Sequence, residues 1–122
     1  MPEPVYVGLG ARPGVSADEV VSLVRQCVPA GCRAVVLATL AARAAEPGIA
    51  GAAAALGVPL RSYDAAELAG VAVPHPSSAA RSAVGTPSVA EAAALLAAGA
   101  GVVLLVPKVV SGRVTCAVAA SR

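Results

Sequence analysis

Short valine-rich apolar runs alternate with segments of helical spacing along this chain, and that alternation restricts the possible folds more than any other feature. We expect the run PVYVGL to form a strand that the glycines end, and it precedes a helical pattern that Ser16 and Glu19 open as a capping box. A second run, at 32–40, precedes a helix that we expect to begin at Pro47 and to end at Gly57. Strands that alternate with helices in this way predict an α/β fold with a mainly parallel sheet.

The rest of the chain continues the alternation and ends in a hairpin. The last two β-prone runs are separated by a turn through Ser111 and Gly112, so they should pair antiparallel. We therefore predict a single α/β domain over residues 1–122, with a mixed, mostly parallel sheet of about five strands, helices on both faces and a C-terminal antiparallel hairpin. The further predicted elements are a strand at 58–63, a helix that Asp64 and Glu67 open, a short helix at 78–84, a helix from Thr86 and Pro87 to Ala98, and strands at 102–106 and 113–119.

Composition argues against several classes of protein. Hydrophobic residues make up 57% of the chain, and the aromatic residues are Tyr6 and Tyr63 alone, so the core should consist of alanine, valine and leucine. The net charge of +2 comes from scattered basic residues without a basic run, so we do not expect nucleic-acid binding. The apolar stretch at 89–106 contains Glu91 and two glycines, which favours a buried helix and strand over a membrane span. No export signal opens the sequence, and we expect a cytoplasmic protein that does not bind membranes.

Few residues support metal binding or nucleophilic catalysis. Cys27, Cys32 and Cys116 lack CxxC spacing, and the single histidine, His75, cannot complete an ordinary zinc site, so we expect reduced thiols, no metal and no cofactor. His75 also has no recognisable nucleophile near it in a catalytic motif. Glu46 is a weak candidate for a general base, because the following proline favours an extended backbone at this position. An acid in an exposed loop is the alternative interpretation of Glu46.

Three loops are candidates for a ligand site, because ligands of open α/β sheets bind beyond the carboxyl ends of the strands. Helix N-termini at that edge point N–H groups at anions. The loops lie at 8–14, 39–48 and around 74–78, and the first two each carry an arginine. The first loop, GLGARPG, has neither the glycine register of GxGxxG nor a Walker lysine, so we do not expect a dinucleotide or triphosphate site. A tight turn with a solvated Arg12 is the alternative to an anion site there.

Four separate motifs in order resemble the cobalamin-biosynthesis family that includes the free-standing CobE and the C-terminal domain of CbiG. They are GLGARPGVSADEV, LATLAARAAEPGI, PSSAARSAVGTPSVAEAAALLAAG and LLVPKVVSGRVTCAVA, and together they cover almost the entire chain. The resemblance implies an α/β domain that handles precorrin-type tetrapyrroles, which are macrocycles with many acetate and propionate arms. It places ligand-binding residues at Gly8, Gly10, Arg12, Ser16, Thr39, Arg43, Glu46, Pro76, Ser77 and Lys108. Further family motif positions are Gly14, Pro47, Gly48, Gly85, Ser88, Glu91, Pro107, Ser111 and Gly112.

The resemblance also implies which member of the family fits better. In CbiG, this domain accompanies an N-terminal region in opening the lactone ring of cobalt-precorrin-5A with loss of acetaldehyde. This sequence has no counterpart of that region, so we expect the free-standing form to fit better. The family pattern has a cysteine where Ala11 stands and acids where Ala41 and Ala45 stand, while Arg43 keeps a positive charge. The loss of two carboxylates weighs against hydrolysis by this chain.

Three functions remain open at this point. The first is an accessory or carrier protein that binds a precorrin or corrinoid intermediate. The second is a component of a cobalt-precorrin-5A hydrolase in which Glu46 activates water. The third is an interaction domain that docks onto other enzymes of the cobalamin pathway. The binding hypothesis requires Arg12 and Arg43 to lie at the same edge of the fold.

Overall fold

A five-stranded mixed sheet with helices on both faces forms the described part of this chain. The computed structural model describes residues 2–71, 89–99 and 102–121. The strands are β1 (Glu3–Ala11), β2 (Cys32–Leu40), β3 (Leu60–Tyr63), β4 (Val102–Ser111) and β5 (Val114–Ser121). The helices are α1 (Ala17–Cys27), α2 (Ala41–Ala44), α3 (Pro47–Leu56), α4 (Ala65–Ala69) and α5 (Val89–Ala98). The predicted helix at 78–84 and the predicted start of the last helix lie outside the described residues.

The strand order β3-β2-β1-β5-β4 confirms the predicted α/β class and shows where the hairpin sits. β1 pairs parallel with β2, and β2 pairs parallel with β3. β5 lies between β1 and β4 and runs antiparallel to both. β4 therefore runs in the same direction as β1, and the turn from β4 to β5 lies at the edge where the parallel strands end. The sequence predicted the hairpin but not the insertion of β5 beside β1.

The predicted helix ends are confirmed by their local hydrogen bonds. The Oγ of Ser16 accepts from the N–H of Glu19 at 3.1 Å, and the Oε1 of Glu19 accepts from the N–H of Ser16 at 3.0 Å. A second capping box joins Asp64 and Glu67 at the start of α4. α3 begins at Pro47, as predicted, and ends before Gly57. Each of these signals depends on residues at most a few positions apart, so the sequence alone is sufficient to identify them.

Several strand boundaries differ from the prediction. β1 continues to Ala11, so the glycines expected to end it lie inside the strand. β3 begins at Leu60 rather than at residue 58. β4 extends through Pro107 to Ser111, and the turn lies at residues 112–113. The short helix α2 occupies part of what the sequence predicted as a loop. Contacts with distant elements explain why β1 and β4 are longer than predicted.

Two different packing layers cover the sheet. On the first face, α1 and α3 pack against valine and leucine side chains of the central strands. That cluster includes Val5, Val7, Leu9, Val20, Leu23, Leu37, Ile49, Val114 and Val118. On the second face, α5 packs through alanines, and α4 adds Leu68. Its buried residues are Val36, Ala38, Leu40, Leu68, Ala90, Ala92, Ala93, Ala94, Ala97, Ala117 and Ala119. On this second face, alanines lie both on α5 and on the strands beneath it, and these small side chains allow the backbones of helix and sheet to come close together.

All three cysteines belong to the first layer as free thiols. Cys27 of α1 and Cys116 of β5 are buried, and their side chains are hydrogen-bonded to each other. That hydrogen bond lowers the pKa of Cys27 to about 7, while the same bond and burial raise the pKa of Cys116.

Among the described residues, no helix has the length and apolar character that crossing a bilayer requires.

Gly8 explains how close α5 comes to the sheet. A Cβ at this position would collide with the backbone carbonyl oxygen of Ala90 and would lie 2.5 Å from the backbone nitrogen of Ala94. A Cβ at Gly10 would instead meet Val89 and Thr115 at 3.8 Å, an ordinary van der Waals distance. The glycine at position 8 is therefore required by the packing of a helix on a strand, not by a bend of the chain.

We predict that Gly8→Ala destabilises the protein by about 3 kcal/mol or more, because backbone atoms of α5 must move away from the sheet. Gly10→Ala is the matched control two residues along the same strand, and it should change the free energy of unfolding by less than about 1 kcal/mol. Urea denaturation followed by circular dichroism measures both values. Equal stability of the two variants would contradict the close approach of α5 to β1.

Candidate functional site

One edge of the sheet, which we call the rim, brings together three segments that are distant in sequence. It consists of residues 12–16 after β1, residues 41–46 after β2 and the β4–β5 turn at 112–113. The helices α1 and α3 begin at this edge, because each follows one of the parallel strands. α5 also begins near it, since Val89 lies beside Gly10. Open α/β sheets bind ligands at this edge, so we take the rim as the candidate site.

Glu46 ties the first two segments of the rim together. Its Oε1 accepts a hydrogen bond from the backbone N–H of Gly14 at 2.8 Å. Directly after it, Gly48 lets α3 pack against the first segment, because a Cβ there would lie 2.8 Å from the carbonyl carbon of Val15. The side chain that the sequence offered as a weak candidate for a general base is therefore an acceptor in a link between two loops.

Arg12 and Arg43 lie at the same edge, as the binding hypothesis requires. Arg12 is exposed in the first segment, and Arg43 is half-buried in α2, directly after β2. The bond between Gly14 and Glu46 joins the two segments that carry them. Among residues 2–71, 89–99 and 102–121, neither guanidinium has a hydrogen-bond or ion-pair partner.

Arg113 adds a cation that the sequence analysis did not select. Its Nη2 donates to the Oε1 of Glu19 at 2.9 Å, which joins the β4–β5 turn to the first turn of α1. Its backbone carbonyl oxygen accepts from the N–H of Arg12 at 2.9 Å. Residue 113 was predicted to be the first residue of a strand, so this arginine was treated as an ordinary strand residue. An arginine directly after the turn glycine was the signal that could have identified it.

The pKa of Glu19 lies below the ordinary carboxyl value of 4.5. The backbone N–H of Ser16 is the main cause, and hydrogen bonding and charge attraction from the Arg113 guanidinium add to it. Glu19 therefore stays ionised to a lower pH than an ordinary glutamate carboxyl group. It contributes to the start of α1 and to the rim at the same time.

Two other predicted ligand-binding residues use their polar atoms within the fold. Thr39 is fully buried, and its Oγ1 donates to the carbonyl oxygen of Leu9 at 2.8 Å, which fastens β2 to β1. The Oγ of Ser16 caps α1. Gly8 lies beneath α5, whereas Gly10 is only half-buried and lies closer to the rim. Pro76 and Ser77, also predicted to bind ligand, lie outside the described residues, as do His75, Gly85 and Ser88.

Lys108 lies in a bulge of β4, and a buried carboxylate accepts a hydrogen bond from the backbone of this bulge. The pairing of β4 with β5 shifts at Pro107 and Lys108, so these two residues together oppose Ala117. The backbone N–H of Lys108 donates to the Oε2 of Glu91 at 3.0 Å, and Glu91 is fully buried in the first turn of α5. Glu91 is the acidic residue in the first turn of α5, a common position for an acid. The structure adds that this carboxylate fixes the path of β4 below the rim.

Comparisons with known proteins agree on one family. The family model described as "Cobalamin synthesis G C-terminus" matches residues 5–119 of this chain. "Protein CobE" of Sinorhizobium sp is 40% identical over 123 residues, which cover 94% of this chain and 79% of that protein.

Two solved structures support the same conclusion. The crystal structure of CobE, described as a protein from the cobalamin (vitamin B12) biosynthetic pathway, has a TM-score of 0.87 and 30% identity, with 98% of this chain and 94% of that chain covered. The cobalamin biosynthesis protein chiG from Agrobacterium tumefaciens str. C58 has a TM-score of 0.74 and 37% identity, with 96% and 98% covered.

We predict that Glu46→Ala destabilises the protein by about 1 to 2 kcal/mol, because the N–H of Gly14 loses a charged acceptor. Glu46→Gln is the matched control, since the amide oxygen can still accept that bond, and it should lose about half as much. Hydrogen exchange of the Gly14 amide, measured with the urea unfolding curves, checks both variants. Unchanged protection of this amide in Glu46→Ala would show that the loop link does not form.

We predict that the pKa of Glu19 rises in Arg113→Gln but stays below 4.5, because the N–H of Ser16 is the larger cause of the shift. Since the folded-state pKa is depressed, the stabilisation that Glu19 provides is complete above the unfolded value and is lost as the pH falls through the lower folded value. A carbon-13 NMR titration of the carboxyl groups measures the pKa in both proteins. A return of the pKa to 4.5 in Arg113→Gln would show that Arg113 alone lowers it.

Proposed function

This chain belongs to the cobalamin-biosynthesis family of CobE and the CbiG C-terminal domain, and we propose that it binds a precorrin or corrinoid intermediate as an accessory or carrier protein. The observation that carries the proposal is the position of Arg12 and Arg43 on one rim, without partners among the described residues. Precorrins carry acetate and propionate arms around their macrocycle, so two separated cations on one edge suit them. Each guanidinium can donate two parallel hydrogen bonds to one carboxylate.

Apolar surface next to the rim suits the macrocycle itself. Val109 and Val110, at the carboxyl end of β4, are 40% and 66% exposed. Val110 pairs with Thr115, which in turn pairs with Gly10, so this exposed valine lies across the sheet from the first segment of the rim. With no phenylalanine or tryptophan in the chain, leucine, valine or proline side chains would contact the ring face. Cations and apolar surface thus adjoin at one edge.

The expected affinity is weak to moderate. A hydrogen bond to a charged group contributes about 1.5 to 3 kcal/mol, and a micromolar complex needs about 8 kcal/mol. Two arginines, helix N-termini and apolar contact reach that range before the entropy cost of association is subtracted. A dissociation constant of micromolar order suits a protein that must later release its ligand to an enzyme.

The environment of Glu46 favours binding over hydrolysis. One oxygen of Glu46 accepts from the N–H of Gly14, which gives this carboxylate a role in the structure of the rim. The neighbouring positions Ala41 and Ala45, where the family pattern has acids, supply no second carboxylate. We therefore place Glu46 in the support of the rim and not in a chemical step.

We predict that hydrogenobyrinic acid, a metal-free corrinoid polycarboxylate, binds the protein with a dissociation constant of about 1 to 50 μM. Arg12→Gln and Arg43→Gln should each weaken binding about three- to tenfold, because each removes a carboxylate contact. Arg25→Gln, at the exposed C-terminal end of α1, is the matched control and should bind like the wild type. An absorbance titration measures all four proteins, and the a,c-diamide of the same ligand, with fewer carboxylates, should bind more weakly.

Three results would contradict this proposal. The first is absence of binding to hydrogenobyrinic acid at about 100 μM, a concentration above the expected dissociation constant. If the protein also captures a cobalamin-pathway enzyme without ligand, it is an interaction domain. Release of acetaldehyde from a lactone precorrin, abolished by Glu46→Gln, would establish a hydrolase component. Unchanged affinity in both arginine variants would remove the rim as the binding site.

A further inference from the structure

The ion pair between Arg113 and Glu19 lies on the rim and is open to solvent. The two side chains are 51% and 32% exposed, and Nη2 lies 2.9 Å from Oε1. Ion pairs with this degree of exposure contribute little to stability, because water and salt screen both charges. A carboxylate from solution can therefore replace that of Glu19 at small cost.

Arg113 is a neighbour of the cation that the proposed function already uses. Its backbone carbonyl holds the N–H of Arg12, and a Cβ at Gly14 would lie 3.6 Å from its Nη1. The guanidinium thus reaches over the first segment of the rim, beside the loop that Glu46 fastens. A ligand with several carboxylate arms that contacts Arg12 comes within reach of Arg113 as well.

The fold does not need this ion pair for the local structure around it. The turn that carries Arg113 is already fixed by the β4–β5 pairing and by the N–H of Arg12. α4 begins with the same type of capping box, formed by Asp64 and Glu67, and no arginine contact accompanies it among the described residues. Glu19 can therefore keep its bond to Ser16 while it releases the guanidinium.

We propose that Arg113 is a third carboxylate-binding residue of the rim, and that Glu19 occupies its guanidinium until a carboxylate arm of the ligand takes that place. This inference rests on the proposed function, because it assigns a residue and an internal competitor to the same corrinoid site. The exchange makes and breaks no covalent bond. One carboxylate replaces another on the guanidinium, and the displaced carboxylate of Glu19 remains in the capping box.

Four single variants and one double variant test this exchange, with hydrogenobyrinic acid as the probe in an absorbance titration. Arg113→Gln should weaken binding about three- to tenfold, whereas its control Arg25→Gln should not change it. Glu19→Gln should tighten binding about two- to fivefold, because the competitor loses its charge but can still cap α1. Glu67→Gln removes the equivalent acid of the other capping box and should leave the affinity unchanged. The double variant Arg113→Gln/Glu19→Gln should bind like Arg113→Gln alone.

The outcomes separate this inference from the proposed function. Wild-type affinity in Arg113→Gln, while Arg12→Gln weakens binding, overturns the inference and leaves the proposed function standing. A gain from Glu19→Gln that persists in the double variant also overturns it, because Glu19 would then act on the ligand directly and not through Arg113. Absence of binding by the wild type overturns both. Melting curves confirm that each variant is folded, and both side chains are exposed enough for that to be expected.

Discussion

The direct contact between the backbone of α5 and Gly8 of β1 sets the arrangement of the second face of this protein. Since no side chain separates helix from strand there, the surrounding positions must also be small, and the layer is built from alanines such as Ala90 and Ala117. The same close approach brings the first turn of α5 to the level of the rim. It also places Glu91 where its carboxylate reaches the backbone of Lys108 in β4. One missing side chain in β1 thus determines how an edge strand is held two strands away.

The structural features that the sequence predicted correctly are those whose cause is local. A capping box needs two residues three positions apart, and a helix start at Pro47 needs one residue with a fixed φ. The features that it predicted wrongly have distant causes. The glycines of the first motif were expected to end β1, but Gly8 lies inside the strand, where the backbone of Ala90 in α5 leaves no room for a side chain. β4 was expected to end at residue 106, but it continues through an irregular stretch at Pro107 and Lys108, where the buried Glu91 accepts the backbone N–H of Lys108.

The candidate site shows the same division between local and distant causes. Arg12 and Arg43 were expected at one edge because parallel strands end together, and that rule needs only the order of strands and helices. Arg113 was missed because its place on the rim requires β5 to run beside β1 in the opposite direction. The hydroxyl of Thr39 was expected to face a ligand, whereas it fastens β2 to Leu9. A sequence pattern predicts the direction of a strand, but it does not show which of its polar side chains form hydrogen bonds to the neighbouring strands.

The rim contains both carboxylates and guanidiniums, and the two kinds of group differ in their hydrogen-bond partners. The carboxylates of Glu46 and Glu19 each accept a backbone N–H, from Gly14 and from Ser16, so both are parts of loop and helix structure. The guanidinium of Arg12, in contrast, has no partner among the described residues. Because the carboxylates fasten the loops, the backbone segments that carry the cations are held together before any ligand arrives. A preorganised set of cations avoids part of the entropy cost of binding, and this allows exposed arginines, which are weak sites singly, to act together on a polycarboxylate.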